Sequence, residues 1–142
     1  MTEKILLVDD EQEFIDALAE RMRTRGMNVE ASTSPKEALA LVEKTPFDAV
    51  VLDLQMPEMD GLEVLKLVKE KNPELQVILL TGHATVEKGI EAMKLGAMDL
   101  VEKPADLSEL TSKIRKAQAQ KMILVEKKSE EKIKDIMISR SW

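Results

Sequence analysis

The sequence predicts an α/β domain built on a parallel sheet, and three observations carry that expectation. Short continuous apolar runs, such as Lys4-Ile5-Leu6-Leu7-Val8 and Phe47-Asp48-Ala49-Val50-Val51-Leu52, suit strands buried on both faces. Longer segments between them carry apolar residues at helical spacing. The two kinds of segment alternate five times, which implies parallel strands joined by right-handed crossovers.

Each element has its own signals. The first strand, Lys4–Val8, ends in Asp9-Asp10. A helix follows with Phe14, Ile15, Leu18 and Met22 on one face, and Gly26 stands where a helix stop is expected. Met27–Ala31 reads as a second strand. Ser34-Pro35 with Glu37 resembles an N-cap followed by proline at the first helical position, and that helix runs through Ala38, Leu41 and Val42. The third strand, Phe47–Leu52, is ended by Asp53. Gly61–Lys71 reads as a helix with Leu62, Leu65 and Val68 inward, and Asn72-Pro73 breaks it. Leu75–Leu80 is a fourth strand ending at Thr81-Gly82. Ala84–Leu95 is a helix despite Gly89, and Gly96 stops it. Met98–Val101 is a fifth strand before Glu102-Lys103-Pro104, and a last helix starts at Leu107.

Composition narrows the chemistry. The 142 residues carry a net charge of −6, with no Cys, one His, no Tyr and two Phe. Without Cys there is no disulfide framework, thiol nucleophile or thiolate zinc site, and one His excludes a two-His metal motif. The charge argues against direct nucleic-acid binding. No apolar run approaches the roughly 18–20 residues that span a bilayer, and the N-terminus lacks the basic-then-apolar layout of a secretory signal, so a cytoplasmic location without a membrane partner is expected. Carboxylates remain as the chemical resource. Residues 121–142 hold six bases and four acids, so the acidity belongs to the body before them.

In an open α/β sheet, ligands bind outside the carboxyl ends of the strands. The sequence places Asp9 and Asp10, Asp53, Thr81 and Lys103 at or just after four such ends. Taken singly, each has a plain alternative: Asp and Thr form turns and helix caps, and Lys is ordinarily a solvated charge. Together they are hard to explain as accidents, because clustered carboxylates repel. Two charges 4 Å apart cost about 4 kcal/mol at an effective dielectric near 20. A cation relieves that repulsion, and oxygen-only ligands with room for water suit Mg²⁺. Mg²⁺ beside a carboxylate and a lysine suits phosphoryl transfer, with Asp53 at the central strand as the nucleophile.

These residues fall in a larger pattern. Asp9-Asp10-Glu11, Val51-Leu52-Asp53-Leu54-Gln55-Met56-Pro57 with Asp60-Gly61, Leu80-Thr81-Gly82-His83 and Glu102-Lys103-Pro104 occur in that order. The pattern resembles the receiver domain of two-component response regulators over roughly residues 3–120, and Thr81–Pro104 is similar to receivers of nitrogen-regulator-type transcription activators. The resemblance implies a flavodoxin-like (βα)5 doubly wound sheet of strand order 2-1-3-4-5. It implies that Asp53 accepts a phosphoryl group from a sensor histidine kinase or phosphotransfer protein. It implies that Asp10, Asp53 and the backbone carbonyl of Gln55 bind Mg²⁺, with Asp9 acting through water or orientation. Thr81 would hydrogen-bond the phosphoryl oxygens and Lys103 would pair with them. Pro57 and Gly61 would shape the loop after Asp53, and Lys103-Pro104 is a place for a cis peptide. Gln55 and His83 would flank the attacking water and tune the phosphoryl lifetime.

The sequence departs from the family pattern in its switch. Leu100 stands three residues before Lys103, where the family usually has Tyr or Phe, while Met98 and Ala105 replace other common aromatics. Coupling from Thr81 to the face of helix four, strand five and helix five is therefore expected to be weakened or rerouted. An alternative is a Mg²⁺-dependent aspartyl-phosphate phosphatase of haloacid-dehalogenase type. That class needs an acid two residues after the nucleophile, where this chain has Gln55. Residues 1–120 are expected to form the receiver and 121–142 a helical extension, tail or linker stub. The chain would act on a downstream protein, an output domain or a second copy of itself, as a single-domain regulator or as the receiver of a longer transcriptional regulator.

Overall fold

A computed structural model describes residues 2–56, 60–82 and 86–139. The expected alternation is present: β1 (Lys4–Val8), α1 (Gln12–Thr24), β2 (Asn28–Ser32), α2 (Pro35–Lys44), β3 (Ala49–Asp53), α3 (Gly61–Lys71), β4 (Gln76–Thr81), α4 (Val86–Lys94), β5 (Asp99–Glu102) and α5 (Leu107–Ser139). The strands form one parallel sheet in the order 2-1-3-4-5. This is the flavodoxin-like doubly wound topology, with β1 and β3 adjacent at the centre.

Alternation along the strands divides the core into two layers. Leu6, Val8, Val50, Leu52, Val77 and Leu79 face α2, α3 and α4, meeting Val42, Val64, Leu65, Val68 and Ala92. Ile5, Leu7, Val51, Ile78 and Leu80 face α1 and α5, meeting Ile15, Leu18, Met22, Leu110 and Ile114. Burial on both faces explains why the strands are continuously apolar rather than alternating.

The local signals mostly work as expected. Ser34 Oγ accepts from the Glu37 amide at 3.3 Å, and Pro35 opens α2. Gly26 and Gly96 follow α1 and α4 with φ of +89° and +99°, the left-handed conformation glycine adopts most easily. Several boundaries shift. β2, β4 and β5 each begin one residue later than the apolar run suggests, because parallel pairing sets their ends: Asn28 pairs with Lys4, Gln76 with Ala49, and Asp99 with Ile78. β3 begins at Ala49, since Phe47 N donates to Thr45 O and Asp48 N to Lys4 O before the ladder starts. In α3, Val64 is fully buried while Leu62 is only half-buried.

The last helix is a single element of 33 residues, about 50 Å long at 1.5 Å per residue. Its first half packs on the sheet through Leu110, Ile114 and Ala117. Its middle is tied to the amino-terminal edge of the sheet: Gln118 reaches Asp48, Lys121 donates to Phe47 O, and Lys128 pairs with Glu74 at 2.8 Å. Beyond Lys128, Ile133, Ile136, Met137 and Ile138 are exposed. No helix among the described residues is long and apolar enough to cross a membrane.

Candidate functional site

At the carboxyl edge of the sheet, the ends of β1 and β3 bring Asp9, Asp10 and Asp53 together, each offering a carboxylate oxygen within 4.8 Å of the others. Asp9 and Asp53 are each 3% exposed, while Asp10 is open to solvent. Backbone amides hold the two buried groups. Glu11 N donates to Asp9 Oδ1 at 2.9 Å as α1 begins, and Gln55 N donates to Asp53 Oδ1 at 3.2 Å. The opposite oxygens face Lys103, whose Nζ lies 2.9 Å from Asp9 Oδ2 and 3.8 Å from Asp53 Oδ2. Thr81 ends β4 fully buried, and its carbonyl accepts from Lys103 N at 2.7 Å, which ties the ends of β4 and β5 together. The Lys103-Pro104 peptide is cis.

The electrostatics follow from this packing. Burial pushes the Asp53 carboxyl up to about 6; the neighbouring charges of Asp9 and Asp10 add to the rise, while the Gln55 amide and Lys103 oppose it. Burial works against the Lys103 ammonium, but the hydrogen bond and charge of Asp9, with Asp53 and Glu11, outweigh it and raise its pKa. Three carboxylates facing one ammonium leave the pocket net negative. An all-oxygen donor set of this kind, open at Asp10, fits a hard divalent cation such as Mg²⁺.

Gly61 lets α3 start close against Asp53 and Leu54. A Cβ there would stand 2.5 Å from Leu54 Cα and 2.7 Å from Asp53 O, so only glycine lets α3 start so near β3. Leu100, half-buried on β5, reaches toward α4: its Cδ2 lies 3.8 Å from where a Cβ on Gly89 would stand. His83 and Pro57 lie outside the described residues. Two participants were missed in the sequence. The Phe14 ring sits 4.4 Å from Lys103 Nζ, and Glu11 Oε1 lies 3.7 Å from the same ammonium. Phe14 reads from spacing as an inward helical residue; its position one turn after Asp10 was the available signal.

A family model described as "Response regulator receiver domain" matches residues 5–115. The chain belongs to that family. The receiver is 36% identical over 115 residues to an NtrX-like response regulator of Rickettsia bellii, covering 80% of this chain and 24% of the relative. It is 39% identical over 115 residues to the transcriptional regulatory protein ZraR of Escherichia coli K12, covering 81% and 26%. The chain thus spans about a quarter of the length of these curated relatives. Among solved structures, a CheY-like receiver domain protein of Methanospirillum hungatei superposes with a TM-score of 0.81 at 27% identity, covering 86% of this chain and 98% of that one. A Burkholderia pseudomallei response regulator with a phosphorylated aspartic acid and a calcium ion superposes at 0.74 with 26% identity, covering 85% and 74%.

Proposed function

We propose that this receiver is a phosphorylation-activated switch in which Asp53 takes a phosphoryl group from a phosphohistidine on a sensor kinase or phosphotransfer protein. The observation that carries this reading is the placement of Asp53: buried at the end of the central strand, held by the Gln55 amide, and between two acids and one lysine. An Asp53 oxygen attacks phosphorus, the P–N bond to the donor imidazole breaks, and the imidazole leaves with the electron pair. Lys103 and the Thr81 hydroxyl stabilise the charge on the phosphoryl oxygens. Asp10, Asp53 and the Gln55 carbonyl would hold Mg²⁺, with Asp9 orienting through water. The ion, when bound, offsets charge on the transferring group.

The new phosphoryl group draws Thr81 and Lys103, and through the ends of β4 and β5 it biases the face of α4, β5 and α5. That face would control a partner, an output domain or a second copy. Gln55, two residues after Asp53, and His83, two residues after Thr81, are assigned the tuning of the phosphoryl lifetime. Residues 1–120 act as the receiver and 121–142 as an extension or linker.

The test is incubation with a small acyl-phosphate donor, with and without Mg²⁺, followed by intact mass measurement. One labile phosphoryl adduct per chain is expected with Mg²⁺, and none in Asp53→Asn. An adduct that persists in Asp53→Asn would overturn the assignment.

A further inference from the structure

Lys103 has to serve a phosphoryl group on Asp53, yet its ammonium sits nearest another acid. Its Nζ is 2.9 Å from Asp9 Oδ2, 3.7 Å from Glu11 Oε1 and 3.8 Å from Asp53 Oδ2. An ammonium carries three N–H donors on a flexible four-carbon stem, so three acids around it offer several places to settle. A fourth neighbour is not an acid. The Phe14 ring centroid lies 4.4 Å from the same nitrogen, inside the roughly 6 Å over which a ring face attracts a cation.

Two observations separate this ring from ordinary core packing. Phe14 is half-buried at the edge of the layer between the sheet and α1 and α5. A cavity of about 220 Å³ opens against it, between Leu18 and Arg21 of α1 and Pro104-Ala105, so packing there does not require an aromatic side chain. The seat of the ring is also built by the acid that pairs with Lys103. Asp9 Oδ1 accepts from Glu11 N at 2.9 Å, and Ile15 N donates to Glu11 O at 3.0 Å, which starts α1 with Phe14 in its first turn. One carboxylate thus fixes both the ammonium and the ring that faces it. Among the described residues the other aromatic side chain, Phe47, is buried in the opposite core layer.

We infer that Phe14 is a positioning residue for phosphoryl transfer that acts through Lys103; the inference rests on Asp53 as the phosphoacceptor. A carboxylate beside the ammonium competes with phosphoryl oxygens for its hydrogens. A ring face attracts the charge without taking a strong hydrogen bond. It therefore steadies the ammonium at the pocket and leaves its N–H groups available to the incoming oxygens.

The test is a double-mutant cycle on the full chain, with the rate of phosphorylation by a small acyl-phosphate donor at saturating Mg²⁺ followed by intact mass. Phe14→Leu and Phe14→Met keep apolar bulk and lose the ring, and each should slow phosphorylation about tenfold. Phe14→Tyr keeps the ring and should recover most of the rate. In a Lys103→Gln background, which has no cation for the ring to hold, Phe14→Leu should change the remaining rate by less than about twofold. Equal slowing in both backgrounds would make Phe14 a packing residue and overturn the inference. So would a Phe14→Tyr rate as low as that of Phe14→Leu, or an unchanged rate in Phe14→Leu. Those three results leave Asp53 as the phosphoacceptor, whereas no adduct in the parent chain would overturn that reading and this inference together.

Discussion

Asp53 combines two requirements that oppose each other. The nucleophile proposed here must be ionised, yet Asp53 is buried beside two other acids, and its pKa rises to about 6. An unfolded aspartate titrates near 3.9. Between about pH 4 and 6 the folded chain therefore holds a proton that the unfolded chain has lost, so this group's contribution to stability falls as pH rises through that window. Asp53→Asn should stabilise the metal-free protein at pH 7 by about 1–3 kcal/mol. The gain should vanish below about pH 4, where both states are protonated. Thermal melts at pH 3.5 and 7 in chelator check this, and an equal gain at both values would contradict it. Mg²⁺ should stabilise the parent more than the variant. Two further residues are proposed to act on the phosphorylated state. Gln55→Ala and His83→Ala should each change the dephosphorylation rate several-fold, read as loss of the mass adduct with time; unchanged rates would remove them from that role. The acids, the lysine and Thr81 were legible in the sequence because strand ends share one edge. The contact of Lys103 with Phe14 was less so, because it joins residues far apart in the chain.

At the scale of elements, contacts lead from the pocket toward the outer face through β4, β5 and α4, and the proposed switch would follow them. Lys103 N bonds to Thr81 O, and Leu100 on β5 approaches α4 at Gly89. An aliphatic side chain there fills space but lacks the polar tip that lets a tyrosine occupy both buried and wet positions. Leu100→Tyr should widen the affinity gap between phosphorylated and unphosphorylated forms for the protein's partner, measured as a ratio of dissociation constants. An unchanged ratio would mean that Leu100 is not the weak point of the switch. The helix faces and caps were readable from spacing and from Ser34-Pro35. Strand ends were displaced by a residue because pairing with neighbours, which a single strand does not encode, sets them.

Over the whole molecule, the two core layers make the receiver body, and α5 carries its structure beyond that body. The contacts of Gln118, Lys121 and Lys128 with Asp48, Phe47 and Glu74 span 54 to 74 positions in the chain, so no local pattern announces them. They are partly or fully exposed polar contacts, which solvent screens. Truncation after Gln120, which removes Lys121 and Lys128 but keeps Gln118, should therefore lower the melting temperature only slightly and leave phosphorylation at Asp53 intact. Loss of folding on truncation would show that the extension is part of the domain. The proposed chemistry turns on one residue, Asp53. Its most direct test is to phosphorylate the full chain with an acyl-phosphate donor and Mg²⁺, reduce it with borohydride, and map the peptides by mass. An aspartyl phosphate is reduced to homoserine, and homoserine is expected at position 53 and at no other acid. Homoserine at position 9 or 10, or none in a chain that carries the phosphoryl mass, would contradict it.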